Sequence, residues 1–350
     1  MKRWTNDEMG KAAHVGVGRL LSLADLGNWP HKGVIQMGGS NEFVRPSTSS
    51  AGARLHEQRA VGEVLRYLSV CSGIEAATVA WGPLGWNPVA FSEVERFPCA
   101  VLAHHYPDVP NVGDMTKIDG RKYRGTVDLL VGGTPCQGFS VAGKRGGLRD
   151  ERSGLAMQYV KIAGEIRPKW IIWENVPGCL STGGGEDFPA FVSALYDSGY
   201  RDISWAVLDA QYFGVPQRRR RVFLVGHLGE EGCTPKILFE PESLRRHFAQ
   251  SPKTQTKNPR RIGTLSANCG GLTRPAGNCN ELSFCIPHDS RVRRLMPIEC
   301  ERLMGFPDNY TAIPGASDAA RYKALGNSIA VPVMRWIGER IQKWENMYAD

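Results

Sequence analysis

A chain of 350 residues with ordinary globular composition can bury one large core or two moderate ones. Its 43 Lys and Arg against 35 Asp and Glu leave a formal charge of +8, which favours a polyanionic partner and above all nucleic acid. The sequence holds no apolar run of the roughly 18 residues a membrane span needs, and "MKRWTNDEMGKAAHVGVGRLL" lacks a leader core. With nine cysteines and no C-x-x-C pair, a reduced, cytoplasmic chain with no membrane partner is expected.

In chain order, residues 1–62 are weakly patterned, and the polar "GGSNEFVRPSTSSAGARLHEQ" reads as a linker or surface wrap. Strands are then expected at Leu65–Cys71, Pro88–Glu93, Val127–Val131, Trp170–Trp173, Ile203–Leu208 and Arg221–Gly226. Helical patterns separate several of them: "EAATVAWGPLG", "RFPCAVLAHHY", "GLAMQYVKIAGEI" and "FPAFVSALYDSGY". Such alternation predicts an α/β fold with an open, mostly parallel sheet over 63–228. From 229 to 300 the pattern dissolves into a smaller irregular module. Residues 301–350 end in an amphipathic helix that should return to the first domain. Four cysteines, Cys269, Cys279, Cys285 and Cys300, stand near His288, but their spacing fits no zinc pattern and no metal is expected.

Ligands of an open parallel sheet sit beyond the carboxyl ends of its strands. Four polar features fall there: "SVCSGIEAA" after the first strand, Glu93 ending the second, Cys136 after the third, and Glu174-Asn175 ending the fourth. Gly73 lies at a strand-to-helix turn, and Glu93, twenty positions on, is placed to read ribose hydroxyls. The full G-x-G-x-x-G is missing, and Glu75 at the helix start disfavours a pyrophosphate, so a phosphate-free nucleoside such as S-adenosylmethionine suits the turn better. Taken alone, a glycine turn and a surface glutamate would explain these residues better.

The segment "LLVGGTPCQGFSVAGKRGG" presents Cys136 after a stiff proline and before a glycine-rich basic loop. A lone cysteine is commonly a small buried hydrophobe, but Lys144, Arg145 and Arg149 favour a thiolate nucleophile here. Glu174 follows "WIIW", so apolar surroundings should raise its pKa and keep it ready to donate a proton. In "VPQRRRRVFLVG", alternation sends Arg219 and Arg221 to one face and Arg218 and Arg220 to the other, a pattern fit for anion binding.

With these residues in place, the chain resembles the DNA cytosine C5-methyltransferases. "GGTPCQGFS", "ENV" at 174–176, "QRRRR" at 217–221, "RRLMPIECERLMGFPDNY" and "YKALGNSIAVPV" occur in that family's order, from about Leu68 to Trp336. The resemblance implies a Rossmann-like S-adenosylmethionine-dependent methyltransferase fold, with a small target-recognition domain at 229–300 for double-stranded DNA. It implies Cys136 as nucleophile, Glu174 as its acidic partner, and Arg219 and Arg221 holding the flipped base and the loop. It assigns the cofactor to Gly73, Ile74, Glu93, Asp114, Met115, Pro135, Leu155, Asn327 and Ser328. Gln137, Ser140, Lys144 and Arg145 would meet DNA. A monomer is expected; a companion restriction endonuclease is left open. The family's usual acid, aromatic and glycines are replaced by Ser69, Cys71, Glu75 and Ala76, and its usual threonine by Met296-Pro297. A transfer-RNA cytosine methyltransferase and a catalytically inactive DNA-binding relic are the alternatives, and a nicotinamide oxidoreductase is disfavoured by the missing glycine fingerprint.

Overall fold

The computed structural model describes residues 32–35, 64–135, 154–229, 232–239, 265, 285–288 and 291–347. Its elements in chain order are β1 (Lys32–Ile35), β2 (Arg66–Val70), α1 (Ala76–Trp81), β3 (Asn87–Ser92), α2 (Arg96–His105), β4 (Leu129–Gly132), α3 (Gly154–Ile166), β5 (Trp170–Asn175), α4 (Asp187–Asp197), β6 (Asp202–Asp209), β7 (Arg220–His227), α5 (Cys233–Leu238), β8 (Cys285–His288), β9 (Arg291–Arg294), α6 (Pro297–Met304), α7 (Asp318–Asn327) and α8 (Val331–Met347).

Seven strands form one sheet in the order β1-β6-β7-β5-β4-β2-β3, and β8 pairs with β9 in a separate hairpin. Each of the six expected strands is present within two residues of its expected ends. The sheet is more mixed than the sequence implies. The pairs β2·β3, β2·β4 and β4·β5 are parallel, whereas β7 runs antiparallel to both β5 and β6, and β1 runs antiparallel to β6. Period-2 alternation along a sequence says which face a residue takes but not which way its strand runs. β1 lies inside the stretch read as weakly patterned; "KGVI" is too short to carry a strand pattern, and its pairing with β6 depends on the rest of the sheet.

β4, β5 and β6 are buried on both faces, which explains near-continuous apolar runs such as "WIIW". Tyr67, Leu129, Val131, Trp170, Ile172, Phe223 and Val225 point to a core shared with α1, α5, α6 and α8. The alternate residues Leu68, Val70, Leu130, Ile171, Trp173, Val222 and Leu224 point to a core shared with α3 and α4. On the first face α8 lies against α1. The Trp81 indole Nε1 donates to the Met334 carbonyl at 2.9 Å, and Gly338 leaves room for the ring.

No helix among the described residues is long and apolar enough to cross a membrane.

A methyl at position 338 would lie 2.5 Å from both Cδ1 and Nε1 of Trp81, whose hydrogen bond prevents the ring from retreating. Helix propensity favours Gly338→Ala by about 1 kcal/mol, but overpacking costs about 1–3 kcal/mol. Net destabilisation is expected, read as a lowered midpoint in chemical denaturation; an unchanged or raised midpoint would refute this packing.

Candidate active site

Register brings the site together. Val70 pairs with Gly132, and Gly132 pairs with Trp173, so β2, β4 and β5 end in one row across the sheet. The next residues, Cys71, Gly133 and Glu174, stand on the carboxyl rim where the chain order switches from β2 outward to β3 and back to β4. The glycines are required by distance. A Cβ at Gly132 would lie 2.5 Å from Val70 Cγ2 and 2.8 Å from its carbonyl, and one at Gly133 would lie 3.1 Å from Glu174 Oε2. Only bare backbone lets β4 pass between the β2 turn and the carboxylate.

Beyond Gly133 the chain is pinned on both sides. Thr134 is buried; its hydroxyl accepts from Trp173 Nε1 at 3.0 Å, and its carbonyl accepts from Asn175 Nδ2 at 2.9 Å. Pro135 follows, exposed, as the last described residue before Cys136. Cys136, Gln137, Ser140, Lys144 and Arg145 lie outside the described residues. Trp173 and Thr134 were not singled out in the sequence, because a tryptophan in an apolar run reads as core, which it also is.

Glu174 is buried and paired with Arg221, Nε to Oε1 3.2 Å. The antiparallel direction of β7 makes this possible: its amino end reaches the carboxyl rim of β5, and Glu174 pairs with Phe223, two residues along the same face from Arg221. Burial raises the Glu174 pKa, and Arg221 and then Arg219 oppose that shift without cancelling it. Arg221 is pushed down by burial against the pull of Glu174.

Arg219 has a different position. Residues 217, 219 and 221 do turn inward while Arg218 and Arg220 are exposed, as alternation requires. The Arg219 fork, however, donates to the carbonyls of Leu265 at 2.9 Å, Gly326 at 2.9 Å and Ser328 at 2.6 Å. Burial pulls its pKa down to about 9, Arg221 adding to the shift. Gln217 assists by accepting from Leu265 N at 3.2 Å and donating to the Leu303 carbonyl at 2.9 Å. Arg219 thus fastens the 326–328 segment to the sheet, while its Nε is buried without a partner among the described contacts.

A pocket opens at the switch point. Of the expected residues it brings together Gly73, Glu174, Asn327 and Ser328, and it adds Ser69, Cys71 and Glu75. Gly73 adopts φ +57°, and its N–H donates to Glu93 Oε2 at 2.7 Å, while Glu93 Oε1 accepts from the backbones of Val94 and Glu95. The carboxylate is thereby fixed over the turn at the start of α2. Ile74 is fully buried, its carbonyl accepting from Tyr310. Met115 is buried with its sulfur 3.4 Å from the Cys71 thiol. Burial pushes that thiol up to about 12, Glu93 and Asp114 adding to the shift. Asp114 accepts from the backbone and hydroxyl of Thr116, which hold its carboxyl below the usual range. Glu93, Asp114, Met115, Pro135 and Leu155 do not line this pocket, although Glu93 and Met115 touch residues that do. Glu75 appeared in the sequence only as an obstacle to phosphate; its place in the wall depended on the turn's left-handed geometry.

The donors present fit a phosphate-free nucleoside. The Glu93 carboxylate is held beside the pocket by the Gly73 N–H, and no Lys or Arg among the described residues lines the pocket to meet a phosphate.

The Glu174–Arg221 pair generates a pH-dependent prediction. A carboxyl whose folded pKa exceeds its unfolded one, here about 4.5, contributes stability below the unfolded value and loses it as pH rises through the folded one. Removing Arg221 raises the folded value further. Arg221→Met should cost little at pH 5 and about 3 kcal/mol at pH 8, read from denaturation midpoints at the two pH values. A deficit independent of pH would show that the pair carries no such charge.

A family model described as C-5 cytosine-specific DNA methylase matches residues 65–266 and 236–343. The chain is 32% identical to a protein of Escherichia phage P1 named DNA N-6-adenine-methyltransferase, over 80% of this chain and 61% of that protein, so it spans about three fifths of that relative's length. It is 29% identical to the type II methyltransferase M.HpaII of Haemophilus parainfluenzae, over 82% of this chain and 92% of the relative. Among solved structures, S. pombe Dnmt2 methyltransferase superposes with a TM-score of 0.59 at 17% identity, covering 81% of this chain and 99% of that one, a likeness of fold. With the model matched across both the catalytic rim and the C-terminal helices, the chain belongs to the C-5 cytosine-specific DNA methylase family.

Proposed function

We propose that this protein methylates C5 of a cytosine swung out of double-stranded DNA, with S-adenosylmethionine as methyl donor and Cys136 as covalent nucleophile. The observation that carries the reading is the buried Glu174–Arg221 pair on the rim one strand away from Gly133-Thr134-Pro135, the segment leading into Cys136. Family membership supports the reaction type. The +8 charge supports the polyanionic substrate.

Cytosine C5 is a poor nucleophile. A Cys136 thiolate adding to C6 makes C5 the carbon end of an enamine. Glu174, its pKa raised by burial, donates a proton to N3 and offsets the charge that develops in the ring. Arg221 orients that carboxyl. Thr134, held by Trp173 and Asn175, fixes the chain from which Cys136 departs. When bound, S-adenosylmethionine supplies an electrophilic methyl group; Gly73, Glu93, Asn327 and Ser328 would hold it. Loss of the C5 proton to a base, with return of the N3 proton to Glu174, then expels Cys136 and restores the aromatic ring. The target base is inaccessible within a duplex, so it must leave the stack at a cost of about a few kcal/mol. Residues 137–149 and the 229–300 module would fill the vacated space and read the sequence.

Duplex DNA carrying 5-fluorocytosine, incubated with the methyl donor, should capture wild-type protein covalently, while Cys136→Ser should form no adduct and retain DNA binding. Methylation by the serine variant would sink the assignment. The name of the phage P1 relative favours a second product, N6-methyladenine, which requires no thiol addition. Nucleoside analysis of methylated DNA decides between them: 5-methylcytosine is expected, and N6-methyladenine that survives Cys136→Ser would support the other chemistry. Parallel assays with transfer RNA separate the RNA reading. DNA affinity should also fall steeply with salt through counterion release, about 10³-fold or more between 50 and 200 mM if six or more phosphates are contacted; a flat response would exclude a phosphate-tracking surface.

A further inference from the structure

The pocket wall contains a charge that the reaction described above does not use. Glu75 sits between β2 and α1 and is 1% exposed, with φ +60°, a left-handed conformation that a glutamate rarely adopts. One carboxylate oxygen is employed: Oε2 accepts from Thr78 N at 3.1 Å and Thr78 Oγ1 at 2.6 Å, capping the six-residue helix α1. The other, Oε1, is buried and has no partner in hydrogen-bonding geometry, although the Ser69 hydroxyl is close enough to ease its charge.

Its electrostatic surroundings are one-sided. Burial raises the Glu75 pKa; hydrogen bonds from Ser69 and from the Thr78 hydroxyl and backbone oppose the shift without cancelling it, and Glu93 adds to it. Among the described residues the only charged neighbour acting on it is thus another carboxylate, with no Lys or Arg. The pocket's other carboxylate, Glu174, shows the contrast, since Arg221 lies 3.2 Å from it. A serine or aspartate would cap α1 as well with less buried surface. A buried carboxylate without a counter-charge is costly unless something completes it. Here it lines a cavity together with Asn327 and Ser328 from the far end of the chain. What the cavity wall lacks is a cation.

We propose that Glu75 is the counter-charge for the cationic methionyl moiety of the bound cofactor, at its ammonium or its sulfonium. This rests on the S-adenosylmethionine reading and deepens it. The cofactor brings the positive charge that the protein withholds, so binding relieves the buried carboxylate, and a neutral nucleoside of similar shape gains nothing from it.

Isothermal titration of the full-length chain, wild type and Glu75→Gln, with three probes tests this. The probes are S-adenosylmethionine (sulfonium and ammonium), S-adenosylhomocysteine (ammonium only) and 5′-methylthioadenosine (neither). Glutamine matches the volume and still accepts from Thr78. Glu75→Gln should weaken S-adenosylmethionine by about tenfold or more and leave 5′-methylthioadenosine within about twofold. A matching loss for S-adenosylhomocysteine assigns the contact to the ammonium; its sparing assigns it to the sulfonium. The ligand-free variant should melt no lower than wild type, because an unpaired buried charge has been removed. Equal effects on all three probes, or a lowered melting temperature with uniform loss, would reduce Glu75 to a helix cap and overturn the proposal. Failure of the wild-type chain to bind any probe would instead overturn the cofactor reading, and this inference with it.

Discussion

The close passage of β4 between β2 and β5 is the constraint on which the site depends. Parallel register places Val70, Gly132 and Trp173 in a row, and the missing Cβ at 132 lets the β4 backbone meet Val70 within van der Waals range. At the next residue a Cβ would lie 3.1 Å from Glu174 Oε2, so a side chain at 133 would require the carboxylate to give way. The two glycines therefore set how near the cofactor turn stands to the acid, and from which point the chain departs toward Cys136. Proximity of this kind is a large part of what a methyl-transfer site must supply.

Around that passage the polar groups divide into those that act and those that hold. Glu174 keeps a raised pKa despite two nearby arginines because burial outweighs them. The two arginines, two residues apart on one face, divide the tasks: Arg221 meets the carboxylate, and Arg219 gives its fork to three carbonyls that bind the 326–328 segment and Leu265 to the sheet. Trp173 likewise serves both the core and Thr134. Stability and chemistry share these side chains, which is expected where a low-dielectric site must also be rigid.

The side proposed to hold the cofactor differs in character from the side proposed to carry the chemistry. Its carboxylates are fixed by backbone N–H groups and hydroxyls: Glu93 by Gly73, Val94 and Glu95, Glu75 by Thr78, Asp114 by Thr116. Among the described residues no Lys or Arg lines the cavity. The charged side chains that line it are Glu75 and Glu174, a composition that disfavours phosphate on electrostatic grounds.

The sequence alone determined the alternation of strands and helices, because apolar period and β-branched runs are local properties. It also determined which residues stand at strand ends: Gly73, Glu93, Glu174 and the inward pair Arg219 and Arg221 could be named from spacing. Strand direction, the edge pairing of β1, the separate task of Arg219 and the burial of Glu75 were decided only by tertiary structure. Each depends on which distant carbonyl, ring or strand arrives alongside, such as Ser328 beside Arg219 or Ile203 beside Ile35. A one-dimensional pattern records the face a side chain takes, but the partner waiting on that face comes from elsewhere in the chain.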